Sequence, residues 1–146
     1  MEIEELITKY PKIFQDYEGN PGKCNWTSLP NGWIKNVDIL CGSIQSYIDH
    51  TKRYNKETDK WENPPQATCT QMKEKFGGLR FYIDGGDKQI EGMIEMTEYM
   101  CQNTCQDCGS TESIGLTQGW ITTLCQTCVT GYGDRAMANW KPLNKQ

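Results

Sequence analysis

Histidine and long apolar runs are nearly missing from this chain. It has one histidine, His50, among 146 residues, and no run approaches the ~18 apolar residues that cross a bilayer. We therefore expect no membrane-spanning helix.

Histidine is the most frequent general base in enzymes. His50 follows Asp49, but adjacent residues on a helix point in different directions, so we expect His50 to lie on the surface at a helix end.

The sequence shows no nucleophile next to a base and no open metal site. These are the features by which an uncharacterised active site is recognised. We therefore predict a protein that is not an enzyme. Hydrolysis by the carboxylates of Asp84 and Asp87 is the alternative, although a DGGD segment ahead of a helix is typical of a strand-to-helix turn.

Positive charge is also scarce. The chain has 15 Lys and Arg against 19 Asp and Glu, for a net charge of -4. Proteins that coat nucleic acid depend on many contacts between cations and phosphates, so we do not expect a nucleic-acid partner, and any anion must be bound locally.

The first ten residues, MEIEELITKY, are acidic and amphipathic, unlike a signal peptide. We expect a reducing, cytoplasmic setting for the eight cysteines.

Apolar spacing predicts helices and one hairpin in an α+β fold. Residues 2–14 suggest a short helix interrupted at Pro11, and the Gly- and Pro-rich stretch that follows suggests a loop. Apolar residues from Trp33 predict a helix that ends near His50. A second amphipathic helix begins after Asp87, a predicted N-cap. Its apolar face carries Ile90, Met93, Ile94, Thr97 and Met100 or Cys101.

The chain length predicts a single domain, 1–146. It divides into a helical part (1–66), a β-hairpin plus helix (67–101), a zinc-ribbon-like part (102–132) and a polar tail (133–146). Within the first part, 51–66 is polar and closed by two prolines, which indicates a surface connection. The expected fold class is thus α+β, a small antiparallel sheet packed with two amphipathic helices and a C-terminal zinc-ribbon-like element.

Two paired cysteine motifs are the strongest chemical signal. CQDC and CQTC supply Cys105, Cys108, Cys125 and Cys128 with sixteen residues between the pairs. Two residues between thiolates let both sulfurs bind one ion, and two such turns complete a tetrahedral structural zinc site. Gly109 suits the positive backbone angle that closes such a turn. The alternatives are two disulfides or buried thiols.

The other four cysteines are scattered along the chain. We interpret Cys24, Cys41, Cys69 and Cys101 as small buried hydrophobic residues, with a second metal site as the alternative.

Residues 72–86, MKEKFGGLRFYIDGG, contain a predicted β-hairpin. If Gly77 and Gly78 form its turn, Lys75 lies opposite Arg80 and Lys73 opposite Tyr82. Alternation then gives one apolar face and one polar, mostly basic face. Like charges opposite each other destabilise a sheet, so we predict a phosphate-bearing ligand at Lys73, Lys75, Arg80 and Tyr82. The alternatives are an acidic patch on a partner protein, neutralisation by Glu74, Asp84 or another carboxylate of the chain, and a face that is simply solvated.

Four segments have a specific sequence pattern: KEKFGGLRFYIDGGD (73–87), IEGMIEMTEYM (90–100) and GWITTLC (119–125) around the cysteine motif, and NGWIKNVDIL (31–40) upstream. By these segments, residues 67–130 resemble a family of small uncharacterised bacteriophage and prophage proteins. The family ends the second cysteine pair with a histidine where this chain has Cys128. The resemblance implies a phage origin and the host cytoplasm, and it lends no settled activity.

Four functions are compatible with these patterns. The first is a nonenzymatic counter-defence protein that sequesters a nucleotide-type host signal on the basic hairpin face. The second is an inhibitor of a host defence or transcription protein, with Trp33, Trp61 and Trp120 as candidate anchors. Trp33 and Trp120 each follow a glycine, and for these two we favour a role in packing over a role in ligand binding. A nucleic-acid-binding zinc ribbon ranks lower because 109–124 contains no Lys or Arg. An enzyme ranks lowest.

Overall fold

The structure is a computed structural model that describes residues 1–16 and 29–143. The loop predicted after Phe14 lies largely outside these residues. Cys24 lies wholly outside them. The helices are α1 (Ile3–Lys9), α2 (Ile34–His50), α3 (Lys88–Gln102), α4 (Gln126–Thr130) and α5 (Asp134–Asn139). The strands are β1 (Arg53–Asn55), β2 (Lys60–Glu62), β3 (Thr68–Lys75), β4 (Gly78–Asp84), β5 (Ile114–Thr117), β6 (Thr123–Cys125) and β7 (Trp140–Pro142).

The larger core lies between the two long helices and the β3–β4 hairpin. The predicted apolar face of α3 is buried through Ile90, Ile94, Thr97 and Cys101, whereas Met100 is exposed. Asp87 caps this helix, since its Oδ1 accepts the Ile90 N–H at 3.0 Å. The expected α+β arrangement is therefore confirmed, with two amphipathic helices against a small antiparallel sheet.

The predicted turn of the β3–β4 hairpin was wrong by one residue. Phe76 and Gly77 form the turn, with φ of 52° and 78°, and Lys75 lies opposite Gly78. Each β3 residue near the turn therefore has a partner two positions away from the one predicted, so that Lys73 faces Arg80 and not Tyr82. Because side chains alternate with a period of two, this shift leaves the paired residues of both strands on their predicted faces. Phe76 is the exception: the predicted pairing placed it on the apolar face, whereas it lies in the turn and is 70% exposed.

A second, smaller core supports the cysteine motifs. Strands β6, β5 and β7 form an antiparallel sheet in that order, and Ile114, Leu124 and Val129 are buried beside it. The expected polar tail was wrong in part, because residues 134–142 form α5 and β7, and β7 pairs with β5. The connection 51–66 is mostly exposed, as expected of a surface connection, and contains a small hairpin, β1–β2.

Hydrogen bonds join the two cores. The Gly32 N–H donates to the Gln106 carbonyl at 2.7 Å, and the buried indole N–H of Trp33 donates to the Thr104 carbonyl at 2.9 Å. On the other side, the Thr123 hydroxyl donates to the Gly77 carbonyl at 2.6 Å. The cysteine region is thereby fixed both to the start of α2 and to the tip of the β3–β4 hairpin.

None of the helices among the described residues is long and apolar enough to cross a bilayer.

Candidate metal centre and basic hairpin face

The four predicted cysteine ligands come together. The sulfurs of Cys105, Cys108, Cys125 and Cys128 all lie within 4.8 Å of one another. In residues 1–16 and 29–143 they form the only cluster of three or more His, Cys, Asp or Glu ligands in reach of one ion. Their sulfurs could hold a metal ion, and no disulfide joins them.

Backbone geometry shapes each cysteine pair into a turn that presents sulfur inward. The Ser110 N–H points to the Cys108 Sγ, and the Cys128 N–H points to the Cys125 Sγ, both at 3.4 Å. Gly109 has the predicted positive φ, 78°, and its N–H donates to the Cys105 carbonyl at 3.0 Å. Such N–H groups stabilise negative charge on sulfur.

The thiols differ in their readiness to ionise. Burial raises the pKa of Cys105, but backbone N–H groups directed at its sulfur outweigh burial and lower it below the ordinary value. Burial and the neighbouring sulfurs raise the pKa of Cys128. Opposite pKa shifts are typical of thiols that lie close together. The negative charge on one sulfur disfavours ionisation of its neighbours unless the sulfurs bind a common cation.

The other described cysteines are separate from this cluster. Cys41, Cys69 and Cys101 are all fully buried in the larger core, as predicted. Burial raises the pKa of Cys101 to about 11, which favours a neutral thiol over a metal-binding thiolate.

The basic hairpin face consists of Lys73, Lys75, Arg80 and Tyr82, which lie on one side of the β3–β4 hairpin. Lys73 is directly opposite Arg80, Lys75 is opposite Gly78 and Tyr82 is opposite Gln71. The structure thus keeps the four predicted residues on one face, although the two cations that oppose each other differ from those predicted.

No acidic side chain in the described part of the chain forms an ion pair with these cations; the ion pairs there join Lys9 to Asp38 and Arg53 to Asp87. Glu74 is on the opposite face, where its Oε1 accepts the Gly77 N–H at 2.7 Å. Glu98 is an acidic residue that interacts electrostatically with Arg80. Burial raises the pKa of Glu98, while the Phe81 N–H and the charge of Arg80 act to lower it.

Two adjoining clefts at the hairpin tip were not predicted. The first has a volume of about 390 Å³, and its lining includes Lys75, Arg80, Gln102 and Asn103. The second, of about 240 Å³, is lined by Glu74, Lys75, Phe76, Gly119, Trp120 and Ile121. Lys75 and Phe76 border both clefts. The clefts form where the hairpin meets β5 and β6, a contact that local patterns do not reveal.

The remaining predicted candidates have different outcomes. His50 is exposed at the end of α2, as expected. Asp87 is engaged as a helix cap and also accepts the Tyr47 hydroxyl at 2.6 Å. Trp33 packs in the core with no exposed surface, which removes it as an anchor for a partner. Packing was the wrong interpretation of Trp120, which is 86% exposed.

No family model, curated protein or solved structure matches the chain significantly.

Proposed function

We propose that this protein is a nonenzymatic binder that holds a phosphate-bearing, nucleotide-type ligand against the basic hairpin face. One observation carries the proposal. Lys73 and Arg80 face each other with no ion pair from the described residues, and Arg80 shares a cleft of about 390 Å³ with Lys75.

Electrostatics explains why this arrangement suits a phosphate. Two like charges opposite each other on antiparallel strands repel, and an anion between them converts repulsion into two attractive contacts. Arginine binds phosphate oxygens through a planar, two-pronged guanidinium, and lysine adds a point charge. The side-chain amides of Gln102 and Asn103 line the same cleft and can donate further hydrogen bonds. Charge concentrated here allows an acidic chain to bind an anion locally.

Zinc is the ion that we assign to the four cysteines. Four sulfurs within 4.8 Å fit a tetrahedral ion bound to thiolates. Such a set is closed to water, so the zinc would be structural and would not act as a Lewis acid. It would hold β6, and through Thr123 it would hold the hairpin tip that borders the ligand cleft.

Metal analysis tests this assignment. We expect one zinc per chain by native mass spectrometry, and a large fall in melting temperature on chelation. A Cys128→Ser variant should lose most of the metal, whereas Cys41→Ser, outside the cluster, should keep it. A melting temperature that chelation leaves unchanged would refute a structural zinc.

The biological setting follows from the resemblance to phage and prophage proteins. We infer an accessory protein of the host cytoplasm that sequesters a nucleotide signal and so acts against a host defence. Sequestration requires binding without turnover, and the cations and side-chain amides that line the cleft can bind a phosphate through charge and hydrogen bonds alone.

The binding experiment uses protein purified from cells in which a nucleotide-signalling defence is active. Native mass spectrometry, repeated after denaturation, should release a nucleotide from the wild-type protein. Lys75→Ala and Arg80→Ala should lose it, and Lys60→Ala, on β2 and away from the cleft, should retain it. Zinc without any small molecule, in cells shown to make the signal, would count against that signal as the ligand.

Inhibition of a host protein is the second candidate. Trp61 and Trp120 are 69% and 86% exposed, and exposed tryptophans are frequent energetic anchors of protein interfaces. An inhibitor should co-purify with a single host protein, and Trp61→Ala or Trp120→Ala should abolish that capture. The same protein should show no thermal shift with nucleotides.

A further inference from the structure

We propose that the nucleobase of the ligand stacks on Phe76 and Trp120 in the cleft of about 240 Å³, the aromatic cleft. This cleft adjoins the cleft of about 390 Å³ that holds the phosphate in the proposed function, the phosphate cleft. This inference rests on the proposed function and adds the part of the site that distinguishes a nucleotide from a bare phosphate. It replaces Tyr82 as the base-binding residue, because Tyr82 lines neither cleft.

Phe76 is an unfavourable residue type for its position in the hairpin turn. Its backbone φ is 52°, a region that bulky side chains seldom adopt and that glycine or asparagine would enter at lower cost. The residue is 70% exposed, so burial of its side chain does not offset the strain. Residues held in such conformations cluster at ligand sites. An exposed ring at the hairpin tip is therefore a candidate stacking surface.

Trp120 has an exposed side chain on a well-held backbone. The Thr117 hydroxyl donates to the Trp120 carbonyl at 2.7 Å and accepts the Thr122 N–H at 2.8 Å. Gly119, with φ of 78°, allows the tight turn between them. Hydrogen bonds thus hold the backbone of Trp120 in place, while the residue is 86% exposed. Aromatic rings presented in this way stack on nucleobases irrespective of sequence.

Charge sorts the two halves of a nucleotide between the two clefts. Glu74 lines the aromatic cleft with Phe76 and Trp120, and its carboxylate repels a phosphate but tolerates an uncharged base. Lys75 and Arg80 attract a phosphate to the other cleft. Lys75 borders both, with its Nζ 5.6 Å from the centre of the Phe76 ring. A single nucleotide can therefore lie across Lys75, with its phosphate at Arg80 and its base at Phe76.

The test compares ligands with and without a base. The probes are pyrophosphate, the four ribonucleoside diphosphates, cyclic dinucleotides and a hexanucleotide RNA, each titrated calorimetrically up to about 1 mM. The variants are Phe76→Ala, Trp120→Ala and Arg80→Ala, with Trp61→Ala as the matched exposed-tryptophan control. Circular dichroism spectra and zinc content verify that each variant is folded.

We expect Phe76→Ala and Trp120→Ala each to weaken nucleotide binding by about tenfold or more while pyrophosphate binds as before. Arg80→Ala should weaken both, and Trp61→Ala neither. If nucleotides and pyrophosphate bind with equal affinity and only Arg80→Ala matters, the base site is refuted and the phosphate site stands. If no probe binds, both proposals fail. Binding of RNA alone, with a steep salt dependence, would overturn the single-nucleotide site in favour of a single-stranded RNA site.

Discussion

Gly32 makes the closest approach between the two cores, and replacing it by alanine tests how they fit together. A Cβ at position 32 would lie 2.1 Å from the Cys105 carbonyl oxygen and 2.6 Å from that of Gln106. Both are backbone atoms in the metal-binding turn, so a rotamer change cannot relieve the overlap. The turn must move away by about 1 Å to reach an ordinary contact distance.

That movement breaks the two hydrogen bonds that fix the turn to the start of α2. They are the 2.7 Å bond from the Gly32 N–H and the 2.9 Å bond from the Trp33 indole. At about 1 kcal/mol for each bond, with a further ~1 kcal/mol for loosened packing around a fully buried tryptophan, the loss is about 3 kcal/mol. For a chain of this length, the melting temperature should fall by about 10 °C.

Gly92→Ala is the matched control. Gly92 lies inside α3, and a Cβ there would meet nothing within 4 Å. Alanine is favoured over glycine in a helix by about 1 kcal/mol, so this variant should melt about 3 °C higher than the wild type. Thermal unfolding followed by circular dichroism, on samples with equal metal content, measures both. If Gly32→Ala melts within ~2 °C of the wild type, the docking of the metal turn on α2 is wrong.

Two further predictions concern single polar groups. Thr123→Val removes the buried hydroxyl that donates to the Gly77 carbonyl and should lower the free energy of unfolding by about 1–3 kcal/mol. Urea denaturation measures this change. An equal effect from Thr127→Val, at an exposed site, would contradict a specific role for the Thr123 hydrogen bond. Burial raises the pKa of Asp87, but the Tyr47 hydroxyl, the Ile90 N–H and Arg53 together outweigh burial and hold this pKa below its ordinary value. The resulting stability is present above the unfolded-state pKa and is lost as the pH falls through the folded one. The melting temperature of Asp87→Asn should therefore approach that of the wild type below about pH 4, and a difference independent of pH would exclude a charge effect.

Local patterns predicted the features that depend on neighbours in sequence. The α2 and α3 boundaries follow from apolar spacing, and the cap at Asp87 follows from its place before a helix. The metal cluster was predictable because a short turn brings the two cysteines of each pair together. Only one long-range contact, between the two turns, is then needed to complete the set of four sulfurs. Gly109 also adopts its predicted angle, since the turn geometry demands it.

The hairpin turn was mispredicted because its position depends on distant residues. Two adjacent glycines suggest a turn at Gly77 and Gly78. In the structure, however, Gly77 approaches β6 closely, and a Cβ there would lie 2.9 Å from the Thr123 hydroxyl. This contact accompanies a turn one residue earlier, which leaves Phe76 with a positive φ. Nothing local to the hairpin encodes that constraint.

Exposure of Trp120 and pairing of β7 were equally invisible to sequence patterns. Tryptophan is usually well buried, and only the turn built around Thr117 explains why this one is not. The last strand has three residues, Trp140–Pro142, too few for a detectable alternation. Its position is supported by the Trp140 indole, which donates to the Leu124 carbonyl at 2.9 Å.

The bond between Trp33 and Thr104, 71 residues apart, has a consequence for the order of folding. Closing so long a loop costs more chain entropy than closing the short segment that contains Cys105 and Cys128. The metal-bound segment can therefore form early as a local unit, and its docking on α2 should come late. Variants at this junction should mainly speed unfolding and leave the folding rate nearly unchanged.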